Sequence, residues 1–191
     1  MRKILIALHG FHSSPKSLKV QQMQAYIHQN HADIVFVCPQ LPCLPQQVWH
    51  LLCALITQYK NAQIGLMGSS LGGYFAMKLA HEYALKTILI NPVVKNNIFH
   101  AHMGQQRHPC TGEAYNIDKH YIHQLKALEV KMLSMPKNIW LLQQEGDEVL
   151  DHRYAKVKYS SCKTTSEKGG DHSFIGFERF IPDIVEFLFP R

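Results

Sequence analysis

Two adjacent serines stand in "IGLMGSSLGGYFAMKLA" (64–80), after an apolar run and before a helical one. Gly68 lies two residues before Ser70 and Gly72 two residues after, so the G-x-S-x-G pattern is centred on Ser70. Centring it on Ser69 would need glycines where Met67 and Leu71 stand. A serine hydroxyl is a weak nucleophile at neutral pH, so Ser70 needs a base beside it and hydrogen-bond donors for a developing oxyanion. Among thirteen histidines, His172 in "KGGDHSF" is singled out by its place after a glycine pair and before the closing helix. An acid to orient that imidazole should follow an earlier strand. Asp147 in "NIWLLQQEGDEVLD" is the leading candidate, with Glu148, Asp151 and Asp171 as rivals. One oxyanion donor would be the N–H of Leu71, at the start of the helix after Ser70. A second would be the N–H of Phe11 in "LHGFHSSP", where Gly10 permits close backbone approach.

These loops need a scaffold that brings them to one edge. The chain alternates short apolar runs with segments of helical period. "KILIAL" (3–8), "DIVFVCP" (33–39), "AQIGLM", "KTILIN" and "NIWLLQQ" read as strands, with "KVKYSSCKT" as a weaker one at an edge. Ser14-Pro15 reads as an N-cap and first helical residue. From Val48, apolar residues at 48, 51, 52, 55, 56 and 59 recur at helical spacing. "LGGYFAMKLAHEY" is a second helix, and "IPDIVEFLF" closes the chain with Pro182 in its first turn. Alternating strands and helices predict a mostly parallel sheet with helices on both faces. Residues 92–135 separate two strands by far more than an ordinary loop and contain an expected helix at about 118–134, so they read as a lid-like insertion.

Composition narrows the function classes. The 191 residues suit one domain, and 46% hydrophobic with 18% charged residues is the balance of a globular protein. "MRKILIALHG" begins with a basic pair but offers no small-residue cleavage site, and no stretch reaches the ~20 apolar residues of a membrane span. The five cysteines form no C-x-x-C pair. Together these features predict a cytoplasmic address. The formal charge of +6 is spread along the chain without a basic run, which favours a solvated surface over a nucleic-acid site. His100, His102, His108 and Cys110 crowd one segment, yet no H-E-x-x-H or paired C-x-x-C accompanies them. Neither a metal nor a cofactor is expected.

The order Ser70, Asp147, His172 is the one expected of a Ser-Asp-His set on an α/β-hydrolase sheet. "LHGFHSSP", "GSSLGGYFA", "GDEVLD" and "GGDHSF", in that order, resemble the YqiA-like esterases of the α/β-hydrolase superfamily over nearly the whole chain. The resemblance implies a compact α/β-hydrolase fold lacking the N-terminal strands of larger members. It also implies Ser70 as nucleophile, Asp147 as acid, His172 as base, and Phe11 and Leu71 as oxyanion donors. The expected activity is hydrolysis of carboxylic esters or thioesters, with short acyl esters and acyl-CoA as candidate substrates. A non-catalytic small-molecule binder on the same fold and a serine peptidase are the alternatives.

Overall fold

A computed structural model describes residues 1–190. In chain order the strands are β1 (Lys3–Leu8), β2 (Ile34–Val37), β3 (Gln63–Ser69), β4 (Lys86–Ile90), β5 (Gly104–Arg107), β6 (Ala114–Ile117), β7 (Ile139–Gln144) and β8 (Lys163–Glu167). The α-helices are α1 (Leu18–Asn30), α2 (Pro45–Gln58), α3 (Leu71–Tyr83), α4 (Lys119–Ala127), α5 (His152–Lys158) and α6 (Ile181–Leu188).

Six strands form one sheet in the order β2-β1-β3-β4-β7-β8, and every pairing in it is parallel. Strands buried on both faces should read as near-continuous apolar runs, and β1, β3, β4 and β7 do. Ile4, Ile6 and Leu8 of β1 pack on one face with Val48, Leu52 and Ile56 of α2 and with Phe75 and Leu79 of α3. Leu5 and Ala7, pointing the other way, join Val20, Met23 and Ile27 of α1 and Ile184, Val185 and Leu188 of α6. The strand's two-residue alternation thus builds one apolar layer on each side of the sheet.

Several element ends differ from the sequence-based expectation. α1 starts at Leu18, with Ser17 as its N-cap, rather than at Pro15. Ser14 and Pro15 instead form a turn, in which the Ser14 carbonyl accepts from Ser17 N–H and the Ser14 hydroxyl from Lys16 N–H. Proline at the second position of a turn and at the first position of a helix has the same φ, so the sequence alone does not separate them. The stretch expected as one edge strand divides. Residues up to Lys158 belong to α5, and the edge strand begins at Lys163. Asp151 caps α5 by accepting from Arg153 N–H at 3.0 Å, which commits the following residues to helix.

Residues 92–135 carry a 3-10 helix (Asn96–His102), the antiparallel hairpin β5–β6 and α4. α4 ends at Ala127 rather than near 134, because Leu128 and Val130 turn into the core formed with α2 and α3. Phe99, Ile117, Tyr121 and Leu125 anchor the whole segment on that side of the sheet.

Candidate active site

A parallel sheet exposes all its strand C-termini at one edge, and the loops singled out in the sequence leave from there. β3 ends at Ser69, and Ser70 occupies the sharp turn into α3 with φ 54° and ψ −121°, a sparsely populated conformation for a residue with a side chain. Surrounding bonds hold it there. Ser70 N–H donates to Ile90 O at 3.0 Å, and Ser70 O accepts from Gly73 N–H and Val93 N–H, both at 3.0 Å. The turn fits only because residue 72 is glycine: a Cβ there would overlap the Leu8 carbonyl oxygen and lie 2.5 Å from that of His9.

The Ser70 hydroxyl meets the His172 ring. Oγ lies 3.0 Å from Nε2, across 102 residues of chain. On the other side of the ring, Nδ1 lies 2.8 Å from Asp147 Oδ2 and 3.0 Å from Oδ1. The Asp147 carboxylate is only 2% exposed, and its Oδ1 also accepts from Val149 N–H and Leu150 N–H at 2.9 and 2.8 Å. Of the rival acids, Glu148 accepts from His172 N–H at 3.0 Å, which holds its carboxyl below the usual range and supports the loop. Asp151 caps α5 and pairs with Arg153. Asp171 makes no bond to the imidazole and donates its N–H to Gln144.

Of the two expected oxyanion donors, Leu71 opens α3 directly after Ser70, and Phe11 follows a glycine that touches Ser70. Gly10 packs so tightly on Ser70 that a Cβ there would sit 3.1 Å from Ser70 Cβ. Phe11, next in the chain, borders a cavity of about 140 Å³ together with Lys19, Ser69, Ser70 and His172. Among the described residues, no acceptor bonds to the N–H of Phe11 or of Leu71. The Phe11 loop is clamped from the 92–135 segment. Its ring stacks on His12 at 3.9 Å between centroids and meets Phe99 edge-on at 5.3 Å, while His12 Nε2 lies 2.7 Å from Tyr115 Oη.

Two histidines near the Phe11 loop, His108 of the crowded segment and His9, have structural work. His108 Nδ1 accepts from Cys110 N–H and Thr111 N–H, closing the hairpin loop. His9 accepts Leu41 N–H at Nε2 (3.1 Å), so its proton sits on Nδ1, which donates to Gly10 O. Burial pushes the His9 pKa down and favours that neutral form. No group of three or more His, Cys, Asp or Glu among the described residues is arranged to hold a metal ion.

Two positioning residues were not read from the sequence. Asn91, just past β4 at φ 39°, donates from Nδ2 to Asp171 O and His172 O at 3.0 and 3.1 Å, and its Oδ1 accepts from Gln144 N–H. Gln144, the last residue of β7, accepts Asp171 N–H and Ile175 N–H at Oε1 and donates from Nε2 to Glu167 and Ile175 O. Together they tie down both sides of the His172 loop. Their signal was a polar side chain at the end of a buried apolar strand, "TILIN" and "WLLQQ", where a further apolar residue would be expected. Gln144→Leu leaves two half-buried N–H groups, those of Asp171 and Ile175, without their acceptor and is expected to cost about 1–3 kcal/mol by thermal or urea unfolding. It should also lower kcat by up to about a hundredfold with little change in KM, because the imidazole loses its alignment.

Residues 4–189 match the uncharacterised protein family UPF0227. The chain belongs to that family. It is the YqiA-like family that the four motifs resemble. Solved structures show the fold of this UPF0227 protein. It superposes with a TM-score of 0.74 on α/β hydrolase domain-containing protein 10 from mouse, at 14% identity over 96% of this chain and 89% of that one. Est1E from Butyrivibrio proteoclasticus, solved with ferulic acid bound, gives 0.73 at 14% identity over 97% and 87% of the two chains. The monoacylglycerol lipase of Paleococcus ferrophilus gives 0.69 at 12% identity over 97% and 93%. The α/β-hydrolase fold of the UPF0227 protein is therefore shared with these chains.

Proposed function

We propose that this protein is a serine hydrolase that cleaves carboxylic ester or thioester bonds through an acyl-Ser70 intermediate. The observation that carries the reading is the continuous hydrogen-bonded line from Ser70 Oγ through His172 to Asp147, at 3.0 and 2.8 Å. His172 Nε2 takes the hydroxyl proton as Ser70 Oγ attacks the carbonyl carbon, and Asp147 stabilises the imidazolium through Nδ1–H. The tetrahedral oxyanion is held by the N–H groups of Phe11 and Leu71, each worth roughly 3–4 kcal/mol in comparable sites. As the intermediate collapses, Nε2–H passes its proton to the departing alcohol or thiol. Water then attacks the acyl-enzyme by the same route, with His172 again as base.

Esterase and lipase relatives of the same fold, one of them solved with ferulic acid bound, favour an ester substrate. Alcohol and thiol leaving groups need the same machinery, so thioesters fall within the proposal. The five cysteines are unpaired, which fits a reducing cytoplasmic setting. No helix among the described residues is long and apolar enough to cross a membrane.

The direct test is a fluorophosphonate probe followed by peptide mapping, run beside hydrolysis of p-nitrophenyl butyrate. Phosphonylation of Ser70 and its prevention by prior acylation are the expected results. Labelling at any other serine, or ester turnover that survives full phosphonylation, would overturn the assignment.

A further inference from the structure

The cavity beside Ser70 carries a charge that the proposed mechanism does not use. Lys19, in the first turn of α1, borders the same 140 Å³ space as Ser70 and His172. Its Nζ donates to Ser173 O at 2.6 Å. An ammonium has three hydrogens to donate, and among the described residues no other acceptor bonds to this one. No carboxylate among the described residues comes within ion-pair distance of it. Burial lowers the Lys19 pKa, while the more distant charges of Asp171 and Asp147 pull it back up. A half-desolvated ammonium without a counter-ion is costly, and an anion in the cavity would relieve that cost.

The rest of the lining points the same way. Ser13, Ser17, Ser69 and Ser173 surround the space, and no Asp or Glu side chain borders it. The wall is therefore one cation among hydroxyl groups that can donate, next to the hydroxyl proposed to attack. Leu8, Val20 and Met67 supply an apolar strip along the same wall, suited to a short methylene chain.

We propose that the substrate of this site is an ester or thioester whose acyl part bears a free carboxylate a few bonds from the scissile carbonyl, seated against Lys19 Nζ. The inference rests on the serine-hydrolase reading. A carboxylate matches the single ammonium charge for charge. A phosphate dianion would bring a surplus negative charge toward Asp147 and Asp171, which already lie close enough to influence Lys19.

The test compares monoethyl succinate with its uncharged isostere ethyl 4-methylpentanoate in a pH-stat. Wild type is expected to favour the carboxylate ester in kcat/KM by about tenfold or more, in the range of a charged hydrogen bond. Lys19→Met should slow both esters, since the tie to Ser173 is lost, but should abolish the preference, and Lys19→Arg should keep part of it. Absence of a preference in wild type, or equal losses on both esters in Lys19→Met, would overturn the proposal and leave Lys19 as a tether of the His172 loop. If Lys19→Met does not fold, the wild-type preference and the Lys19→Arg value decide. A calorimetric titration with succinamate, butyramide and propyl phosphate reads the cavity without turnover. Succinamate should bind most tightly, and tighter binding of propyl phosphate or equal binding of butyramide counts against the carboxylate. If neither ester is cleaved while p-nitrophenyl butyrate is, the carboxylate proposal fails and the hydrolase reading stands. If p-nitrophenyl butyrate is not cleaved either, the hydrolase reading fails and that titration alone decides whether the cavity takes a carboxylate.

Discussion

Ser70→Ala is expected to lower kcat on p-nitrophenyl butyrate by on the order of 10⁵-fold or more, as removal of the nucleophile does in other serine hydrolases. The substitution removes one oxygen and little else. Alanine and serine bear the same penalty at φ 54°, and the bonds that hold the turn are made by the Ser70 backbone, so the melting temperature should barely move. Residual turnover would come from water activated by His172 beside the oxyanion donors. The neighbouring serine makes a sharp control. Ser69 is the last residue of β3 and borders the cavity, but it lies outside the hydrogen-bonded line from Ser70 to Asp147. Ser69→Ala should cost less than about tenfold, the scale of a lost neutral hydrogen bond. A Ser70→Ala protein that kept more than roughly a hundredth of wild-type kcat, with Ser69→Ala inactive, would reverse the assignment of the pair.

Asp147→Asn should lower kcat by about 10⁴-fold while changing shape hardly at all. The reason lies in the two backbone donors to Oδ1. Val149 N–H and Leu150 N–H require an acceptor there, so the amide oxygen of asparagine takes that place and its NH₂ faces His172 Nδ1. An NH₂ group can only donate, so Nδ1 must become the acceptor and the ring proton moves to Nε2. The ring then presents N–H to Ser70 Oγ, where a lone pair is needed to receive the hydroxyl proton. The expected signature is a fall in kcat with KM nearly unchanged. The histidine ring-proton resonance should also shift from Nδ1 to Nε2 in NMR spectra. A loss below about tenfold would show that one of the other acids orients the imidazole.

Some of this was legible from neighbouring residues. The strands β1, β3, β4 and β7 are buried on both faces, and that requirement alone makes their sequences apolar and β-branched enough to find. "GSSLGG" marks the turn at Ser70, because only small residues fit where the chain reverses against the Leu8 and His9 carbonyls. "GGDHSF" marks a loop past the last strand. Each of these signals is local: a period, a turn residue, a run of apolar side chains.

What the sequence could not rank was decided by packing between distant segments. Asp147, Glu148, Asp151 and Asp171 have the same chemistry within 25 residues. Their separate jobs follow from where the β7–α5 loop and the His172 loop touch. Asn91 and Gln144 look like frayed strand ends until the sheet sets β4 beside β7 and the His172 loop crosses above both. Nothing in the sequence sets Lys19 apart, and only the contact with Ser173, 154 positions away, places it at the cavity. Propensity and periodicity arise from interactions a few residues apart, so the sequence alone determined the central strands, the helices α2, α3 and α6 and the turn at Ser70, but not α5 or the β5–β6 hairpin. Side-chain direction across a hundred residues depends on strand order and loop docking, and only the tertiary structure sets those.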